Sequence, residues 1–350
     1  MSTFQLNKLV RPNVAKLKPY SSARNEFKTD GRKMVFLDAN ENPNENGLNR
    51  YPDPQQFSVK SKLAKLKKIP SAQVLLGNGS DEVLDLIFRA FCEPGQDNII
   101  TLPPTYGMYK VLADINNVEN REVLLNHEFQ PDVTSILEEV DENSKLLFIC
   151  SPNNPSGNSF SEERILKLLA EFPGLVVIDE AYIDFAENES WIAKLAEFPN
   201  LIVTQTFSKA FGKAAIRLGM LFASEAIIEI LNKIKPPYNV NELTQGEALK
   251  VLENSEEIKT QVSDIKGNKS ILIEELLEIE FVRKIYKSDA NFLLVEVDDA
   301  NKRYEELLNM GIVVRNRSNQ PLCENCLRLT IGTKTENQQL INALKKLDNE

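Results

Sequence analysis

A lysine set among small and polar residues, Thr206-Phe-Ser-Lys209-Ala-Phe-Gly212, follows the apolar run Leu201-Ile-Val-Thr204. At the carboxyl end of a strand such a residue is placed for covalent catalysis, because only a primary amine forms an imine with an aldehyde cofactor. A Ser-Lys pair in a loop reads, taken alone, as solvated surface. Asp179 closes another apolar run, Leu175-Val-Val-Ile-Asp179, and so falls at the sheet edge where open α/β sheets bind ligands. There a carboxylate can pair with a protonated pyridine nitrogen; its bland alternatives are a helix cap or a surface acid. Tyr182, three residues on, can bond a phenolic oxygen of the same ring or simply pack.

Further polar groups follow the same strand-then-turn pattern. Ser151-Pro-Asn-Asn154-Pro-Ser-Gly157 succeeds a buried run, and Asn154 could donate its amide to that ring oxygen, although Asn-Pro-x-Gly is also an ordinary turn. Gly77-Asn-Gly-Ser80-Asp81-Glu82 opens a helical pattern whose apolar side carries Val83, Leu84, Ile87, Phe88 and Phe91. Free N–H groups and the positive end of the helix dipole make this start an anion cradle, and its two glycines favour a phosphate over a plain capped helix. No Gly-Lys-Ser/Thr follows, so it is not a nucleotide P-loop. Tyr106 can stack on a ring or pack on its own domain. Arg217 is a candidate second phosphate ligand, and Arg315 and Arg328 lie in late strand-like segments where arginine can grip a carboxylate or phosphate bidentately, or be solvated. No single residue is decisive; the ordered set is.

These groups need a parallel sheet to bring them together. The runs at 98–101, 145–150, 175–179 and 201–204 read as buried strands. Between them lies an amphipathic helix with Ser161 as N-cap, Ile165, Leu168, Leu169 and Phe172 on one face, and Gly174 at its end. Buried strands alternating with such helices imply βαβ units. After Lys235-Pro-Pro237 the texture becomes α+β: a long or broken helix over 241–279, strands near 291–297, 312–315 and 327–330, and a last helix opened by a capping-box pattern at Thr335-x-x-Gln338. Two domains fit the 350 residues.

Composition narrows the chemistry. A net charge of −10 disfavours nucleic acid and anionic membrane as partners, while a local arginine cluster can still take an anionic substrate. No signal peptide or membrane span is visible, which reads as a cytoplasmic chain. His127 is the only histidine, so Ser-His-Asp, Cys-His and histidine-metal chemistries are set aside. Cys323-Glu-Asn-Cys326 has metal-ligand spacing but no second pair, so no metal is expected and the two read as reduced thiols.

The chain resembles the fold-type-I, aspartate-aminotransferase-like pyridoxal-phosphate enzymes, and among them the histidinol-phosphate aminotransferase family. The resemblance runs over nearly the whole chain. Its most diagnostic pieces are Pro19-Tyr20-x-Ser-Ala-Arg24, Tyr51-Pro-Asp53 and Leu327-Arg-Leu-Thr-Ile-Gly-Thr333. It implies an α/β transferase: a large domain over 46–236 with a mostly parallel seven-stranded sheet between helices, and a smaller α+β domain from 1–45 and 237–350. It implies pyridoxal 5'-phosphate as cofactor and Lys209 as the Schiff-base lysine and proton shuttle. Asp179 would sit at the pyridine nitrogen, with Asn154 and Tyr182 at the ring oxygen. Ser80, Asp81, Ser208 and Arg217 would surround the cofactor phosphate, Tyr106 would stack, and Tyr51 would reach in from the partner subunit of a homodimer. Arg328, with Tyr20, Asn40 and Arg315, would bind the anionic end of the substrates. Those are L-glutamate and a phosphorylated imidazole compound, in an aminotransferase of histidine biosynthesis. Ala214-Ala-Ile216 departs from the glycine often found before this arginine. Rival readings are an aromatic or broad-range aminotransferase, a pyridoxal-phosphate decarboxylase of a phosphorylated amino acid, and a non-enzymatic cofactor-binding domain.

Overall fold

In the computed structural model, residues 4–19 and 34–349 are described. Seven strands form the large sheet: β1 (Val74–Asn78), β2 (Asn98–Thr101), β3 (Glu119–Glu122), β4 (Ser144–Cys150), β5 (Leu175–Asp179), β6 (Leu201–Thr206) and β7 (Leu218–Ala223). Their order is β1-β7-β6-β5-β4-β2-β3, and only β7 runs antiparallel to its neighbours. The apolar runs are buried on both faces, and consecutive residues alternate between the two cores, as strand geometry requires. Val74 and Leu76 join one cluster with the helices Phe57–Lys67, Glu162–Glu171 and Glu242–Glu253, whereas Leu75 joins the other with Ser80–Phe91 and Glu225–Ile234.

A second sheet is antiparallel throughout, in the order β10-β11-β9-β8: β8 (Val282–Ile285), β9 (Phe292–Val297), β10 (Arg315–Asn316) and β11 (Cys326–Thr330). Leu293, Val295, Leu327 and Leu329 pack on the helices Ser255–Leu276, Ala300–Asn309 and Lys334–Asp348.

Three expectations need correction. The final helix is capped two residues earlier than the pattern at Thr335 predicts: the Thr333 hydroxyl accepts from the Glu336 N–H at 3.3 Å, and the Glu336 carboxylate accepts from the Thr333 N–H at 2.8 Å. Of the run 312–315 only Arg315 pairs as strand, because the Ile312 N–H donates to Leu307 O and completes the preceding helix end. The N-terminal helices Leu6–Leu9 and Pro12–Lys16 pack on the large sheet's helices, not on the second sheet. Val10 and Val14 are buried in the cluster of Phe88 and Leu231, the Arg11 N–H donates to Ala90 O at 3.0 Å, and the Arg11 side chain pairs with Glu93 at 3.2 Å. Two short helices with apolar residues on one side find the nearest apolar helix surface there.

Candidate functional site

Parallel strands point their carboxyl ends at one edge, and each sends a turn there. β1 leads into Gly79 and Ser80, β2 into Thr105 and Tyr106, β4 into Asn154, β5 ends on Asp179 before Tyr182, and β6 leads into Ser208 and Lys209. The antiparallel β7 begins at that same edge, which is why Arg217, just before its first residue, belongs with them. A cavity of about 440 Å³ opens at this edge, and Arg315 and Arg328 of the second sheet line it too.

Asp179 is 3 % exposed. One carboxylate oxygen accepts from the Tyr109 hydroxyl at 2.8 Å and the other from the Ala181 N–H at 3.1 Å. Burial raises its pKa and the Tyr109 hydrogen bond opposes that rise. Burial lowers the pKa of Lys209, and the cationic Arg328 and Arg217 push the same way. Its Nζ stands 5.7 Å from the centre of the Tyr182 ring. Tyr182 is buried and packs edge-on against Phe292 at 5.1 Å, and its phenol is pushed upward, chiefly by burial. An amine that sheds its proton more easily than usual, a buried carboxylate and a buried phenol in one cavity can carry acid–base and covalent chemistry.

The candidate anion cradle lies at the start of the helix Ser80–Phe91. Gly79 has φ +82, and a Cβ there would come 2.5 Å from Arg217 Nη2, so only glycine lets the guanidinium approach this turn. Arg217 itself is left-handed at φ 52. Its partner in the described structure is Asp81, at 3.6 Å and with both side chains well exposed, a loose pair worth about 0–1 kcal/mol. The Tyr106 hydroxyl donates to the other Asp81 oxygen at 3.1 Å. Glu82, by contrast, accepts from the Asn78 N–H and from Asn239 Nδ2, so it ties the turn together. The Arg328 guanidinium donates to Asn154 Oδ1 at 2.5 Å, across 174 residues of chain.

Eleven residues singled out in the sequence line the cavity: Ser80, Asp81, Tyr106, Asn154, Asp179, Tyr182, Ser208, Lys209, Arg217, Arg315 and Arg328. Asn40 and Tyr51 do not; they line a separate groove with Leu48 and Leu243, where Tyr51 stacks on Tyr238 at 4.5 Å. Tyr20 lies outside the described residues. Cys323 and Cys326 are buried in the core, and burial pushes both thiols up to about 12. Two site residues were missed, Tyr109 and Arg317. Each carried a signal: Tyr109 is three residues beyond Tyr106 at a helix start, and Arg317 is two residues beyond Arg315, hence on the same side of an extended strand.

Comparison with known proteins shows the family and the fold. The sequence pattern of aminotransferase class I and II matches residues 23–344. The histidinol-phosphate aminotransferase of Christiangramia forsetii is 70% identical over 350 residues, 100% of each chain. That of Flavobacterium johnsoniae is 63% identical, over 99% of this chain and 100% of the other. Among solved structures, the histidinol-phosphate aminotransferase from Clostridium acetobutylicum superposes with a TM-score of 0.80 at 25% identity, covering 86% of this chain and 91% of that one.

Proposed function

Since the chain belongs to the class I and II aminotransferases, and among them to the histidinol-phosphate aminotransferases, we propose that its cavity works with pyridoxal 5'-phosphate. The reaction is amino transfer between L-glutamate and imidazole-acetol phosphate, giving 2-oxoglutarate and L-histidinol phosphate. The observation that carries the cofactor assignment is the meeting of Lys209 and Asp179 in one cavity with the Gly79–Arg217 cradle, although they come from different strands.

The residues present fit the cofactor's three polar features. Ser80, Asp81, Ser208 and Arg217 surround the place for its phosphate, through backbone or side chain. The glycine at 79, where a Cβ would meet the guanidinium, supports that reading. Asp179 is the partner of the ring nitrogen: it is buried, it is held by two donors, and no lysine or arginine pairs with it among the described residues. Asn154 and Tyr182 serve the ring oxygen and Tyr106 the ring face. Bound there, the cofactor supplies an aldehyde for the incoming amine and an electron sink for the α-carbon.

The protein's own part is proton handling and orientation. Lys209 Nζ is the base that removes the substrate's α-proton, and its lowered pKa keeps a larger share of it unprotonated near neutral pH. Asp179, whose burial-raised pKa the Tyr109 hydroxyl and the Ala181 N–H oppose, would hold a proton on the ring nitrogen. Arg328, with Arg315, Asn40 and Tyr20, serves the anionic end of the substrate. A planar guanidinium can grip either the α-carboxylate of glutamate or the phosphate of the ester, so the two substrates can share one subsite.

Tyr51 and Asn40 fit this scheme through a homodimer. Their groove is bordered by the exposed Leu48 and Leu243, an apolar rim suited to a second copy of the chain. No helix is long and apolar enough to cross a membrane among the described residues. Four buried, unpaired cysteines suit a reducing cytoplasm.

Lys209→Ala tests the assignment: transamination is lost, and borohydride no longer fixes the cofactor to the peptide carrying residue 209. Undiminished turnover in that variant overturns it. Comparing turnover of histidinol phosphate with that of phenylalanine and threonine phosphate tests the substrate range.

A further inference from the structure

Arg315 and Arg328 stand opposite each other across the β10–β11 pair, which puts their side chains on one face. Arg317 continues that face, and its backbone N–H donates to Cys326 O at 2.8 Å. All three arginines line the main cavity. None of them forms an ion pair with a carboxylate among the described residues. Arg317 is the most anomalous: its Nε is buried and has no hydrogen-bond partner. Burial lowers its pKa first, and the neighbouring Arg328 and Arg315 add to this; the Cys323 thiol and the Tyr182 phenol are the groups that oppose it.

A partly desolvated cation beside two like charges and without a counter-ion is unfavourable unless something of opposite charge arrives. A monoanionic carboxylate is satisfied by one planar guanidinium. A phosphate ester dianion carries twice the charge and three terminal oxygens, enough acceptors for more than one guanidinium. We propose that Arg317 is a specificity-determining residue: it is the additional cation that favours the dianionic phosphate of the substrate ester over the α-carboxylate of glutamate at the shared anion subsite. This deepens the functional reading above and rests on a phosphorylated substrate using this cavity.

The test uses the purified holoenzyme and follows each half-reaction separately by the change in cofactor absorbance. In Arg317→Gln, kcat/KM for histidinol phosphate falls by roughly 10–100-fold, the range for losing a hydrogen bond to a charged group. The loss falls mainly on KM, and the glutamate half-reaction changes by less than about threefold, well below that range. Arg317→Lys, which keeps the charge without the fork, recovers part of the loss. Inorganic phosphate, as a competitor in the glutamate half-reaction, weakens in Arg317→Gln by the same factor as the ester. An intact glutamate half-reaction shows that the variant folds and holds its cofactor. Equal losses with both substrates, or no loss with histidinol phosphate, overturn the proposal. If the unmodified enzyme ignores histidinol phosphate, the functional reading fails instead, and the proposal then stands or falls on whether Arg317→Gln weakens phosphate competition.

Discussion

Tyr109→Phe isolates one buried contact. The hydroxyl donates to Asp179 at 2.8 Å, while the ring stacks on Phe148 at 4.8 Å and meets Tyr106 edge-on at 5.6 Å. The variant keeps both ring contacts and leaves a gap no larger than one oxygen. Above the pKa of Asp179 the lost bond is charge-assisted, which puts the cost at about 1.5–3 kcal/mol. The pair term is read from a double-mutant cycle on the cofactor-free protein, with Asp179→Leu as the second variant because it fills the site without an acceptor. Denaturant unfolding above the folded-state pKa of Asp179 should give a coupling of about 1.5–3 kcal/mol, falling towards the neutral hydrogen-bond range of about 0.5–1.5 kcal/mol once Asp179 is protonated. The direction with pH follows from burial: the folded-state pKa of Asp179 is raised, so its contribution to stability is present below the unfolded pKa and is lost as pH rises through the folded one. Removing the Tyr109 donor raises that pKa further, so cofactor binding should weaken first on the acid side. If the two substitutions add within about 0.5 kcal/mol at every pH from 5 to 10, the hydroxyl does not hold the carboxylate and the reasoning is refuted.

Glu180, beside Asp179, is fully buried with its pKa pushed up to about 7 by burial, against donors from Ser190, Trp191 and Gln205. Its contribution to stability is therefore lost between the unfolded pKa and about pH 7, on the order of 3 kcal/mol in total. Unfolding followed from pH 4.5 to 8 should lack this slope in Glu180→Gln, and an identical slope would refute it. Gly79→Ala, at φ +82 and against the Arg217 guanidinium, should cost about 1–2 kcal/mol in unfolding experiments and weaken cofactor affinity in titration. Thr333→Ala removes one side of the capping box and should cost about 1 kcal/mol without touching activity. Mixing Lys209→Ala with Tyr51→Ala subunits should recover activity if Tyr51 serves the other subunit's site; mixtures no more active than either variant alone would count against a shared site.

Local patterns carried much of the site. Lys209, Asp179 and Asn154 each follow an apolar run, and a buried parallel strand has only one ligand-binding end, so identifying the strands also placed the residues. The shorter and more polar strands were harder to read. β3, Glu-Asn-Arg-Glu, has no apolar signature because it is an edge strand with partly exposed residues. Thr335 offers the same local pattern as the Thr333 cap, since both hydroxyls precede a polar residue by three positions, and only backbone geometry distinguishes them.

What the sequence determined by itself was the inventory: one lysine, one buried acid, a glycine-lined helix start and a set of arginines, each beside an element whose periodicity is local and survives in the order of residues. Tertiary structure alone decided their meetings. Arg328 reaches Asn154 across 174 residues, Tyr109 turns its hydroxyl onto Asp179 across 70, and Arg317 is left with a buried, unpartnered Nε beside two other cations. Those contacts depend on how two sheets and their helices pack, and packing is set by many weak, distant interactions that leave no periodic trace along the chain.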